Sequence, residues 1–143
     1  SSAASDVYKR QIVKSVKAGE SLTDIPEPVS ETGLTIVWDR TDFSSVTENI
    51  TVTAIKTANV YTITYDLGVN KYATLSEKTQ SVTYGLEYTL KTPEYEGSAK
   101  FQGWYIADEN GKATNEKAEN GKYLRGQDVT LIAVWQEWSD IVN

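Results

Sequence analysis

The chain carries one residue series twice, and this repetition limits its fold more than any other feature. Ser15-Val16-Lys17-Ala18-Gly19-Glu20-Ser21-Leu22 aligns with Ser81-Val82-Thr83-Tyr84-Gly85-Leu86-Glu87-Tyr88. The matched Ser, Val and Gly residues lie 66 positions apart, as do Trp38 and Trp104. Between them Pro26 meets Pro93 and Gly33 meets Gly97, so the matches form an ordered series. Self-similarity of this kind marks a structural unit set down more than once. Each copy closes on an alternating stretch, 49–55 in the first and 128–134 in the second. The joint falls near Thr57-Ala58-Asn59, and so short a linker implies adjacent units in a semi-rigid row.

The units are β-rich. Ile50-Thr51-Val52-Thr53-Ala54-Ile55 and Val60-Tyr61-Thr62-Ile63-Thr64-Tyr65 alternate apolar and polar residues. So do Thr79-Gln80-Ser81-Val82-Thr83-Tyr84 and Val129-Thr130-Leu131-Ile132-Ala133-Val134-Trp135. Period-two alternation rich in β-branched and aromatic residues predicts half-buried strands. Helix is expected only in short pieces: 19–24, its counterpart at 87–90, and around 43–47. The expected class is mainly β, α+β with little helix, as two tandem small domains.

The copies are unequal. The second opens with a strand at 61–66, turns around 68–70 and returns near 79–84. The first has only 6–16 as a candidate opening strand, with apolar Val7, Tyr8, Ile12 and Val13. Residues 1–11 resemble translated sequencing-adapter readthrough and are expected to be a non-native leader. The expected division is leader 1–11, a divergent or truncated first repeat 12–58, a second repeat 60–136 and a tail 137–143.

Composition removes much chemistry. With no Cys there are no disulfides, thiolate zinc sites or cysteine nucleophiles. With no His there is no Ser-His-Asp triad and no HExxH zinc site. Twenty acids against 14 bases leave a net charge of −6, which argues against a nucleic-acid partner that displaces counterions with clustered Lys and Arg. The longest apolar run is a few residues, far below the ~20 of a spanning helix, so no membrane span is expected in the chain as given. Asp39 with Asp42, and Glu94 with Glu96, are the nearest carboxylate pairs, but two tiny units leave little room for a glycosidase cleft. Asp108-Glu109-Asn110-Gly111-Lys112 has alternating acids, yet Lys112 and Ala113 occupy the third ligand and obligatory glycine positions of an EF-hand. It reads as a β-turn, with Asn-Gly supplying positive φ. No spacing singles out a Lys–Asn isopeptide cross-link. No cofactor, metal site or enzymatic activity is expected.

The repeated residues have structural readings. Gly19 and Gly85 sit where a strand ends and the chain reverses, a place for positive φ. Pro26 and Pro93 follow and stop further ladder pairing. Trp38 and Trp104 fill the core with Val16 and Val82. The competing reading makes Trp104, Tyr105 and Trp138 a platform stacking on sugar rings. Trp135 and Trp138, at and beyond the last strand, either cover the bottom of the second unit or mark a surface where a further repeat docks.

Taken together, Tyr61-Thr62-Ile63-Thr64-Tyr65-Asp66, Ser81-Val82-Thr83-Tyr84-Gly85, Pro93, Glu96-Gly97, Phe101-Gln102-Gly103-Trp104-Tyr105 and Asp128 to Trp135 resemble the Listeria–Bacteroides repeat, or internalin B-repeat type. That family's pattern runs from an opening "VTF" strand through "V-x-Y-G", a proline and "G-Y-x-F-x-G-W-Y" to a closing "V-T-L-Y-A-x-W". Residues 60–135 match nearly end to end, and 12–56 resemble a divergent copy with Val37-Trp38-Asp39 in place of "G-W-Y". Ser98-Ala99 replaces the usual aromatic after Gly97, and no Gly precedes Trp38. The resemblance implies β-grasp-like units, each a twisted sheet wrapped over a short helix or helical turn. It also implies an extracellular, cell-surface or wall-attached setting in bacteria. The expected function is a non-catalytic spacer or adhesion module contacting neighbouring repeats, a host or surface protein, or glycan. A carbohydrate-binding accessory module is the alternative, and receptor binding through a sheet edge a third reading.

Overall fold

The computed structural model describes residues 8–14, 26–40 and 50–136, with side chains over 26–40 and 52–136. Val16, Gly19, Trp138 and the helical stretches expected at 19–24 and 43–47 lie outside the described residues. Every regular element among those described is a strand, and the fold is mainly β. The helical turn that the resemblance implies does not occur among them. The chain divides into two compact units, Ser1–Asn59 and Val60–Asn143.

The first unit holds β1 (Tyr8–Lys14), β2 (Leu34–Trp38) and β3 (Ile50–Ala58), in the sheet order β1-β3-β2 with both pairings antiparallel. β1 includes Tyr8 to Gln11 of the expected leader and pairs along β3 from Tyr8↔Lys56 to Lys14↔Ile50. On β2 the half-buried Leu34, Ile36 and Trp38 alternate with exposed Thr35 and Val37, as period-two patterning requires. Val52 and Ala54 are buried on β3, and Trp38 lies opposite Ala54.

The second unit holds β4 (Val60–Asp66), β5 (Thr79–Thr83), β6 (Glu87–Tyr88), β7 (Lys100–Ala107), β8 (Ala113–Lys117), β9 (Gly121–Lys122) and β10 (Val129–Gln136). Five of them form one mixed sheet in the order β5-β4-β10-β7-β8, while β6 and β9 pair separately. β4 and β10 run parallel, with Val129 opposite Ile63, and the other pairings are antiparallel. The Asp128 carboxylate fixes the start of this pair by accepting the Thr62 N–H at 2.9 Å. Ile63, Tyr65, Val82, Trp104, Tyr123, Leu131 and Ala133 make the core.

Residues 87–90, expected as helix, are extended instead. Glu87 and Tyr88 pair with Lys122 and Gly121, and the Asn120 side chain accepts the Leu90 N–H at 2.8 Å. The Gln80 amide reaches the Thr89 carbonyl at 3.1 Å. Long-range partners satisfy this backbone, whereas an isolated turn of helix has too few internal bonds to repay nucleation.

One irregularity arranges the core. The β7–β10 register shifts so that Gly103 faces Val134 and Phe101 faces Trp135, leaving Gln102 as the extra residue of a bulge. In a regular strand, residues three apart face opposite sides. The bulge turns Phe101 and Trp104 to the same side, where their rings meet edge-on at 5.3 Å. Gly103 adopts φ 129° there, a conformation that side chains resist. Gly68, at φ 71°, is required for a further reason, since a Cβ there would lie 2.7 Å from the Ala133 carbonyl oxygen. In the first unit no Gly precedes Trp38, and the β2–β3 register runs without a shift.

Gly103→Ala is expected to destabilise the second unit by about 1–3 kcal/mol, while Gln102→Ala at the exposed neighbour stays within about 0.5 kcal/mol. Urea unfolding followed by tryptophan fluorescence compares them; equal midpoints would contradict the bulge account.

Candidate functional site

The side chains with the most chemical character are aromatic, and most are spent on packing. Trp104 is 2% exposed, and its indole N–H donates to the Lys91 carbonyl at 2.6 Å. A ring so enclosed has no face to offer a sugar, which corrects the stacking reading of Trp104. Tyr105 points to the other face of β7, half-buried, with Ile132 opposite it on β10 and Lys117 opposite it on β8. Trp135 is partly buried and packs against the main core. Its N–H donates to the Leu67 carbonyl at 2.8 Å, and its ring lies 4.8 Å from Tyr95 and 5.4 Å from Phe101. Tyr65, Trp104, Phe101, Trp135 and Tyr95 thus form a continuous row of ring contacts from the core to the surface.

The repeated residues behave differently in the two units. Val82 is 5% exposed and Pro93 is buried, whereas Trp38 is half-buried and Pro26 exposed. Gly85 has φ 83° in the reversal after β5, where the Leu86 N–H closes on the Thr83 carbonyl. Trp38 nevertheless repeats the bonding of Trp104. Its N–H donates at 2.8 Å to the Pro26 carbonyl, 12 residues upstream, against 13 for Trp104 and Lys91.

The Asp39 and Asp108 carboxylates are also engaged. Asp39 accepts the Thr53 N–H at 3.0 Å, which ties the end of β2 to β3; Asp42 lies outside the described residues. Glu94 joins Thr74 in a backbone bridge, and exposed Glu96 lines a shallow cleft of about 340 Å³ with residues 69–72 and 97–99. Asp108 accepts the N–H groups of Asn110 and Lys112 at 2.8 and 2.9 Å, so the loop weighed for calcium closes on its own backbone. Hydrogen bonds from Lys112 and Asn110 hold its carboxyl below the usual range. Among the described residues no group of three or more acidic side chains is placed to hold a metal ion, and no helix is long and apolar enough to cross a membrane.

A second cleft, about 410 Å³, runs between residues 80–83 and 86–89. It lies beside β5, at the margin of the sheet. Sequence reasoning missed this feature because periodicity identifies a strand without telling whether it is central or marginal.

Comparison with family models, curated proteins and solved structures finds no match to this chain. The resemblance therefore rests on the residues quoted above.

Burial raises the phenol pKa values of Tyr65, Tyr88 and Tyr123 above 10.0. On the alkaline side of pH 10 the unfolded chain loses these protons while the folded chain keeps them. Their contribution to stability is therefore complete below pH 10 and disappears as pH rises through the raised values. Phenolate absorbance from these three should appear in a late stage that coincides with unfolding. A single smooth titration with the fold intact would contradict it.

Proposed function

We propose that the chain is a non-catalytic tandem β module of a bacterial cell-surface or secreted protein, acting as a spacer and adhesion element through protein–protein contacts. The carrying observation is a device common to both units. Trp38 faces Ala54 across an antiparallel pair, and Trp104 faces Ala133. Each indole N–H then holds a carbonyl 12 or 13 residues upstream. A small residue opposite a large one makes room for the ring, and the same solution at matched positions supports duplication of one unit. Repeated compact units are what extended modules are built from.

The occupied state of the polar side chains favours a structural role. Asp39, Asp66, Asp108, Asn120 and Asp128 each accept a backbone N–H, so acidic and amide groups serve loops and strand ends. The bacterial and extracellular setting comes from the family resemblance alone. A spacer also needs a short joint, and only Asn59 separates β3 from β4 along the chain.

Small-angle scattering on the full chain tests the spacer. The expected distance distribution is that of one elongated particle with a defined maximum dimension. Scattering from two lobes that reorient freely would overturn the reading.

A further inference from the structure

From the unpaired margin of β5 we infer a self-association site: two copies of this chain join their sheets antiparallel along Thr79–Thr83, about a two-fold axis at Ser81. β5 is an outer strand of the five-stranded sheet, bonded on one side to β4. The Tyr65 N–H donates to the Lys78 carbonyl at 2.8 Å. In an antiparallel ladder this alternation sends the backbone groups of Gln80 and Val82 toward β4 as well. Those of Thr79, Ser81 and Thr83 therefore point away from the sheet. Thr79 and Ser81 are exposed, and among the described residues the Thr83 carbonyl alone of these outward groups has a backbone partner, in the turn to Leu86.

The second copy is favoured over a foreign strand by the symmetry of the sequence. Thr79-Gln80-Ser81-Val82-Thr83 has threonine at both ends and serine at its centre. Pairing about Ser81 sets Thr79 against Thr83 and Ser81 against itself. Each Ser81 N–H donates to the other copy's Ser81 carbonyl, and each Thr83 N–H to the other's Thr79 carbonyl. Lys78 falls opposite Tyr84, so no like charges meet, and Thr–Thr pairs are favourable cross-strand neighbours. The opposite margin contrasts with this. β8 carries Glu116 and Lys117, with Glu116 paired to Arg125, and charge at a margin is a device that discourages strand addition.

So short a contact makes a weak dimer, below the size of a stable interface. It is nonetheless suited to adhesion, where many copies on apposed surfaces act together. The proposal rests on the adhesion half of the reading above for its purpose, but not for its geometry. A negative result here therefore leaves the scattering test of the spacer untouched.

Sedimentation equilibrium on the full chain, into the millimolar range, should show monomer and dimer. Because each copy carries −6, association should strengthen with salt. Ser81→Lys places two ammonium groups together at the axis and should weaken the dimer roughly fivefold, less at high salt. Mixing it with Ser81→Glu should restore association between unlike copies. Ser81→Pro removes the outward N–H without touching the β4 ladder and should weaken it about tenfold or more. Unchanged near-ultraviolet dichroism confirms that each variant is folded. Hydrogen exchange should show the Ser81 and Thr83 amides gaining protection as concentration rises. A monomer at every concentration would overturn the proposal. So would association that ignores all three substitutions, or protection appearing on another strand.

Discussion

The second unit depends on the backbone of Lys91, whose carbonyl and N–H are each bonded to a core aromatic. Its carbonyl accepts the Trp104 indole N–H at 2.6 Å, and its N–H donates to the Tyr65 hydroxyl at 3.3 Å. The two rings themselves meet edge-on at 4.7 Å. A buried indole N–H or phenol without a partner costs on the order of 1–3 kcal/mol, so Trp104 is tolerable in the core because the Lys91 carbonyl reaches it, and Tyr65 because its hydroxyl donates to the Gln80 side chain and accepts from Lys91. The dependence runs both ways, because the loop is fastened to the sheet by the groups it satisfies. The Lys91 ammonium, 3.9 Å from an exposed Glu77 carboxylate, adds little beside this.

The bulge at Gly103 explains how so small a unit gathers several large rings on one side. Leu131, Ala133 and Trp135 of β10 face the core at every second position, opposite Ile106, Trp104 and Phe101 of β7. An unbroken β7 would send Phe101 outward and leave Trp135 without its neighbour. In the first unit the residue three before Trp38 is Thr35, exposed on a regular strand. With no aromatic to turn inward, there is nothing for a bulge to accomplish, and the missing glycine fits that. The two units thus differ in core filling around one shared feature, the tryptophan opposite an alanine.

How much of this was legible in the sequence depended on the range of the interaction. The alternation at 60–65 announced β4, where inward and outward residues differ in burial, whereas β10, read from the same alternation at 129–135, buries Leu131, Ile132 and Ala133 in succession. Their parallel pairing carried no such signal, since contacts between residues 66 apart leave no local trace. The stretch 87–90 was misjudged for the same reason: its partners, Gln80, Asn120 and Lys122, are all distant in sequence. Trp104 was legible as core from its repetition. The row of rings leading from it to Tyr95 was not, because it depends on a register shift.

Side chains placed where chemistry was sought are largely occupied in holding backbone, which moves the question of function from side chains to what backbone remains free. A sheet that does not close leaves two margins with unpaired N–H and C=O groups, and natural proteins protect such margins with charge, proline or irregularity. β8 follows the rule through Glu116 and Lys117, and its register is irregular against β7. β5 carries neither charge nor proline between Thr79 and Thr83 and pairs with β4 without a shift. Acidity of the chain as a whole slows indiscriminate encounters but cannot select a register, because its repulsion acts at long range. Register has to come from the strand itself, and a short neutral sequence with threonine at each end defines one pairing, in which Ser81 meets Ser81 and Thr79 meets Thr83.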